Sequence, residues 1–524
     1  MDMLKVWISK LERRDRICLV TGLVTGLVTH LMMLTNKITN LDDIVCVPDV
    51  GGGAVLGRYL QMPVHMLFSE WSAPALNGMM AILLLTITCC ILLHLLRLNS
   101  DTAAVLVPFL MLTGPSVASN MYYMYLAPTF AVAILLSVAT VAITEWGGRF
   151  GWIPGFCLLI ISMACYQAYF ALCATVFLLA FAMALIDGKE PRKVIIRGLR
   201  ALLVLGLAMA GYLLSLRLLP IELSDYKGLD SIGDTTLISR MHSVLRTWHR
   251  VLQYFVTRPE SYNVGAPILW MRMLSLCLVI LFIILIVQRR MVQSRTRLLL
   301  LLFVLALLPC AMGLTYVMAP EVSHASTVMT FSYIGFDLLL VAFLERIRVS
   351  ALRAEGKGPA TVRRQALTAF LTATVLLLIA RGYTDYRLVN NAYYRSHLAQ
   401  IRMEQFYGRI MERLESEGYV AGEPVMIVGQ YDPEPLPTQQ LNMGGEIYED
   451  FEGMTLEAHL FLPTIRSFML RRFLGMGITV WGQEEMETME ARQEVQAMPV
   501  YPAQGCVSRI DGVWVLRVGQ EEAR

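Results

Sequence analysis

Two adjacent carboxylates and an arginine frame the stretch "NLDDIVCVPDVGGGAVLGRYL" at residues 40–60, directly after the first long apolar segment of the chain. A carboxylate such as Asp42 or Asp43 can take a proton from an attacking hydroxyl, and a guanidinium such as Arg58 can grip phosphate oxygens with two parallel donors. Together they suit transfer of a group that departs from phosphate: the leaving group is already good, so the reaction needs a base and a counter-charge. Neighbouring side chains diverge on a helix and face opposite ways on a strand, so the two aspartates cannot share one role. One would be the base, the other an orienting or metal-holding group. The other reading is that both are solvated loop carboxylates or a helix cap, and that the glycines make a turn rather than bring backbone N–H groups to an anion.

Other polar residues sit where chemistry or packing could use them. Tyr122 and Tyr123 lie at the end of an apolar segment, as an aromatic belt or a sugar-stacking surface. Tyr166 and Gln167 fall at a break between two apolar runs, where an amide must find a partner, either another helix or a substrate hydroxyl. Tyr226, Lys227 and Asp230, in "DYKGLD", are candidates for donor phosphate or acceptor, or are simply solvated. Arg272, inside a late apolar segment, either snorkels or meets a lipid phosphate. Asp337 lies within another, as a functional group or a partner for a neighbouring helix. Glu321 and His324 are too few to make a metal site, so the metal is unknown, although a divalent ion is compatible with the acidic pair.

The elements that must position these residues are membrane helices. With 56% hydrophobic and only 16% charged residues over 524, the chain is too apolar for a soluble protein of this size. Its net charge of +3 lacks the field of a nucleic-acid binder. Apolar stretches that can span the hydrocarbon recur at 17–36, 74–96, 102–120, 127–144, 150–166, 168–186, 198–219, 264–288, 298–318, 327–345 and 365–382, about eleven in all. With the basic "MDMLKVWISKLERRDR" in the cytoplasm, alternate threading puts the basic segments "DGKEPRKVIIRGLR", "QRRMVQSRTR" and "ERIRVSALRAEGKGPATVRR" inside as well. The expected multi-pass protein therefore has a membrane domain over 1–382, with outer loops at 37–73 and 220–262, and an outer domain over 383–524. Within 220–262, Leu237, Met241, Leu245, Trp248 and Leu252 form an apolar stripe opposite Arg240, His242 and Arg246, which suits a helix in the interface plane. Arg381 and Tyr383 would anchor the last span at that interface. The outer domain reads as a long helix from "NAYYRSHLAQ", a buried strand "EPVMIVGQY" and two strands around Asp511-Gly512, hence a small α/β fold.

The order of these features resembles the GtrII-type glucosyltransferases: basic N-terminus, first span, acidic pair, "GRYL", "YYMYLAPTFAVAILLSVA", "CYQAYFALC", an outer loop with "DYKGLD", and an outer C-terminal domain. The resemblance covers most of the chain in short motifs, and beyond about residue 390 it is one of length and character. It implies a GT-C-like polytopic helical enzyme that moves a hexose, often glucose, from undecaprenyl phosphate to an extracytoplasmic cell-surface glycan. The presumed base of the family carries over to Asp42 or Asp43, and Arg58 matches its glycine-arginine pattern. A single displacement on a β-linked donor would invert the anomer. The competing classes are a lipid-linked-sugar flippase, which should show paired halves and a midplane site, and a surface-glycan polymerase. No internal repeat is evident, and neither GxxxxGK[ST] nor GxGxxG occurs.

Overall fold

The computed structural model describes residues 11–40, 52–69, 72–221, 223, 237–257, 268–318, 326–353, 361–429 and 481–519. Asp42, Asp43, Tyr226, Lys227, Asp230, Glu321 and His324 lie outside the described residues. The chain divides into two compact units, one of residues 1–35 and 50–390, the other of 36–49 and 391–524.

The first unit is a helical bundle. Its main helices are α1 (Arg13–Thr35), α2 (Pro74–Leu95), α3 (Asp101–Leu112), α4 (Pro115–Tyr122), α5 (Ala127–Trp146), α6 (Trp152–Cys165), α7 (Phe170–Ile186), α8 (Pro191–Leu218), α9 (Leu237–Val256), α10 (Ile268–Gln288), α11 (Arg295–Met312) and α12 (Ile334–Arg353), followed by the first part of α13 (Thr361–Ser416). Among the described residues eight helices are long and apolar enough to cross a membrane, and the α3–α4 pair, counted as one span, makes nine. Helix α6 is apolar but only 14 residues long. The chain is thus a polytopic helical membrane protein.

Local sequence accounts for the departures from straight spans. The stretch expected at 102–120 is two helices bent by 46° at Gly114-Pro115, where proline has no N–H to continue the ladder. The expected span at 327–345 opens instead with two short 3-10 turns, Thr327–Met329 and Phe331–Tyr333, before α12 begins. The last span and the long helix after it are one uninterrupted 56-residue helix, since no glycine pair or proline breaks 361–416.

Acidic and basic groups fasten one end of the bundle. Arg346 on α12 grips Asp187, just past α7, with Nε at 3.0 Å and Nη2 at 3.1 Å, and also donates to the Leu96 carbonyl beyond α2. Glu345 Oε1 accepts from the amides of Asn99 and Ser100 at the start of α3, both at 3.1 Å. Arg13 meets Asp101, and Arg197 meets Glu145. The starts of α1, α3 and α8 and the ends of α2, α5, α7 and α12 therefore share this end.

Helix α9 carries Leu245, Trp248 and Leu252 of the expected stripe on its outer side, and the side chains of Leu237 and Met241 lie outside the described residues. Ser243, Thr247, Val251 and Phe255 are buried, while Leu245 is 70% exposed and Trp248 and Leu252 are also on the outside. The protein-facing side combines Ser243 and Thr247 with Val251 and Phe255, the last stacked on Phe336, and the Leu245 side is left to a lipid environment.

In the second unit the end of α13 packs on a three-stranded sheet, β1 (Val425–Val428), β2 (Val507–Ile510) and β3 (Val513–Arg517), in the order β1-β3-β2, with β1 parallel and β2 antiparallel to β3. Strand alternation sends Val425 and Ile427 toward Phe406, Tyr407 and Ile410 of α13, and Met426 and Val428 toward Met489, Val495 and Met498 on the other face. The β2–β3 hairpin turns at Asp511-Gly512, both at positive φ, as the expected tight turn requires. Glu423 accepts from Trp514 Nε1 at 2.6 Å, from the Val420 amide at 3.2 Å and from Arg509 at 2.9 Å, and these partners hold its carboxyl below its ordinary pKa.

Candidate functional site around Arg58

The residues before Arg58 form a single helical turn, Gly52–Val55, closed by a paired cap: the Arg58 amide donates to the Gly53 carbonyl and the Gly57 amide to Ala54, both at 2.8 Å. This Schellman arrangement needs a left-handed residue, which Gly57 supplies at φ +75°. A Cβ at Gly57 would also lie 2.5 Å from the Tyr212 hydroxyl and 2.9 Å from Gln167 Nε2, so the position is closed to a side chain twice over. In this glycine-rich stretch, Gly57 ends a turn and sets where Arg58 leaves it.

The capped turn is stitched to a break between spans. Helix α6 stops at Cys165, Tyr166 is extended, and a 3-10 turn over Gln167–Tyr169 leads into α7. The Leu60 amide donates to the Ala164 carbonyl at 3.0 Å, and Gln167 Nε2 donates to the Leu56 carbonyl at 2.7 Å and to Tyr212 Oη at 2.9 Å. Tyr212 in turn donates to the Gly57 carbonyl at 3.0 Å. A second anchor joins Tyr59 to α8, through a 2.7 Å bond to Ser215 and stacking on the Tyr212 ring.

Arg58 is thereby brought onto Tyr166 and Gln167. Its guanidinium carbon sits 4.6 Å from the centre of the Tyr166 ring, and Nε donates to Gln167 Oε1 at 3.3 Å. No carboxylate among the described residues pairs with it. Behind Tyr166 lies a buried aromatic cluster, Phe130 at 4.9 Å and Tyr169 at 5.1 Å between ring centres, and Tyr169 donates to Asn120 Oδ1. Asn120 is buried, and its Nδ2 has no hydrogen-bond partner among the described residues. Tyr123 reaches this cluster edge-on through Phe130, and Tyr122 is buried against Tyr123.

Arg272 does not join this group. Its Nε donates at 2.7 Å to the carbonyl of Val256, the last residue of α9, so it caps that helix. Asp337 finds its partner in Arg381, expected at the membrane interface but only 8% exposed; Arg381 contacts Asp337 through Nη1 and Asp385 through Nε at 3.5 Å. Arg381 is thus buried with two acids, and exposed Tyr383 stacks on Tyr386. No group of three metal-ligating side chains gathers among the described residues. Tyr212, Tyr59 and Ser215 were not singled out from the sequence. A tyrosine and a serine one turn apart in the apolar "AGYLLSLRL" were the available signal.

These features invite a cationic, aromatic-walled site for an anionic ligand. A family model described as Glucosyl transferase GtrII matches residues 31–336, which include Arg58, Tyr166, Gln167 and Tyr212. No curated protein and no solved structure gives a significant match. With more than half of the 524 residues matched, the chain belongs to the GtrII glucosyl transferase family.

Proposed function

We propose that this glycosyltransferase moves a hexose, as its family name suggests a glucose, from a polyprenyl-phosphate carrier to a hydroxyl of a surface glycan outside the cytoplasm. The observation that carries this reading is Arg58, held over Tyr166 at a break between membrane helices with no carboxylate partner among the described residues. Such a guanidinium, with Nε occupied, keeps donors for two phosphate oxygens. Gln167 and Tyr123, which keep exposed surface, would border the sugar beside the Tyr166 ring that Arg58 covers, with buried Tyr122 backing Tyr123 and Lys227 and Tyr226 as further donor contacts.

In the reaction the acceptor oxygen bonds to the anomeric carbon as the bond from that carbon to phosphate oxygen breaks. The acceptor proton passes to Asp42 or Asp43, and the carrier leaves as its phosphate monoester beside Arg58. One displacement on a β-linked donor gives an α-linked product. A divalent ion at the acidic pair is compatible with this scheme.

The topology that fits has the N-terminus in the cytoplasm, the arginine-rich end of the bundle inside, about eleven spans, a membrane domain over 1–382 and the 383–524 domain outside. The positive-inside rule supports it, because Arg13, Arg197 and Arg346 gather at the end opposite Arg58. The test is transfer from a synthetic polyprenyl-phosphate glucose by membranes carrying Asp42→Asn, Asp43→Asn or both. Loss of about two orders of magnitude or more in at least one single variant is expected; full activity in the double variant overturns the base assignment.

A further inference from the structure

Helix α13 does not close against α3 and α12 along its whole length. At Gly382 the fit is tight: a Cβ there would lie 2.4 Å from the Phe109 ring of α3, and the neighbouring Arg381 pairs with Asp337 of α12. Toward the start of α13 the helices part around a cleft of about 450 Å³. Arg364, Leu367, Leu371 and Val375 line it on α13 at spacings of three and four, one helical face. Leu106 of α3 and Val341 and Leu344 of α12 form the facing wall.

The charged groups of the cleft lie at one end only, with Thr368 and Thr372 the polar residues farther along α13. Ser100, Thr102, Glu345, Arg348 and Arg364 line that end, which is the arginine-rich end of the bundle. Glu345 is committed to the Asn99 and Ser100 amides, and Arg346 faces Asp187. Among the described residues Arg348 makes one bond, from Nη1 to Thr102 Oγ1 at 2.8 Å, and a guanidinium has five donors. A ligand that complements this space has an anionic head and a hydrocarbon body.

We propose that the cleft between α3, α12 and α13 binds one anionic phospholipid, its phosphate at Arg348, Arg364 and Thr102 and an acyl chain along Leu106, Leu344 and Leu371. The apolar walls belong to helices of the membrane bundle, so a methylene chain is at home there and a free anion would fill only the mouth. Two guanidiniums at the mouth disfavour the ammonium of a zwitterionic head. The site is distinct from the one at Arg58: α7 begins beside Gln167 and ends at Asp187, and its 17 residues rise about 25 Å.

The test uses the full chain in phosphatidylcholine nanodiscs with and without phosphatidylglycerol, with retained lipid counted by native mass spectrometry and melting followed in parallel. One phosphatidylglycerol per chain should survive release from the bilayer and raise the melting temperature. The Arg348→Gln/Arg364→Gln variant should melt unchanged in pure phosphatidylcholine yet lose about tenfold in phosphatidylglycerol retention. Thr372→Phe, which fills the cleft from an exposed position on α13 and leaves both arginines in place, should lose the lipid as well. Undiminished retention in both variants overturns the site, equal retention of phosphatidylcholine overturns the charge preference, and equal protection by inorganic phosphate shows a soluble-anion site instead.

Discussion

Arg58 and Arg381 are both arginines set among membrane helices, and they are supplied with opposite surroundings. Arg381 is buried between Asp337 and Asp385, both only 2% exposed, so its charge is answered by carboxylates from its own helix and from α12. Among the described residues Arg58 is answered by an amide oxygen and a tyrosine ring, neither of which cancels a unit charge. A buried cation with paired acids belongs to the architecture. A cation whose described partners are neutral is the one that the proposed function gives to the donor phosphate.

The largest expected effect is on the first of these. Arg381→Met strands two buried carboxylates, and the loss of folded protein should correspond to about 3–5 kcal/mol, read as a drop in melting temperature and in yield of monodisperse enzyme. If Arg381→Met folds normally and only activity falls, the contrast between the two arginines is wrong. Arg58→Gln should do the converse, keeping the melting temperature while transfer falls about a hundredfold or more; the change should appear as a lower kcat/KM for the lipid-linked donor. Tyr212→Phe is a smaller perturbation. It removes the bond to the Gly57 carbonyl and the acceptor for Gln167 while preserving the stack on Tyr59, so about 1 kcal/mol of stability and a partial loss of transfer are expected from steady-state kinetics and melting together.

The smallest effect lies in the second unit. The Glu423 carboxyl has a lowered pKa because Trp514, Val420 and Arg509 favour its ionised form. Its contribution is therefore complete above its unfolded pKa, near the ordinary 4.5, and is lost as pH falls through the lowered folded value. Melting curves of wild type and Glu423→Gln should diverge above that window and converge below it.

Much of this contrast follows from the sequence, and some of it does not. The break at "CYQAYF" announces itself because an amide and two tyrosines interrupt an apolar run, and Asp511-Gly512 marks its hairpin by composition alone. Arg58 stands out for its chemistry. That it would meet Tyr166 and Gln167, more than a hundred residues on, depends on a backbone cap and on hydrogen bonds to Leu56, Leu60 and Tyr212, which no local pattern encodes. Arg381 reads as an interface anchor from its position beside Tyr383, and periodicity does not show that Asp337 of another helix will pair with it. Hydrophobicity selects the Leu245 stripe of α9, which lies on the outside, but it does not mark Ser243, Thr247, Val251 and Phe255 as the buried side.

The amide of Leu60 occupies the Ala164 carbonyl where α6 ends. A helix that stops inside a bundle leaves acceptors without their own donors, and here a neighbouring loop satisfies one of them. The interruption in the span and the segment carrying Arg58 thus depend on each other. Rejoining α6 to α7 as a continuous helix would withdraw that acceptor and unseat the arginine, so any rearrangement of these two helices must carry the cation with it.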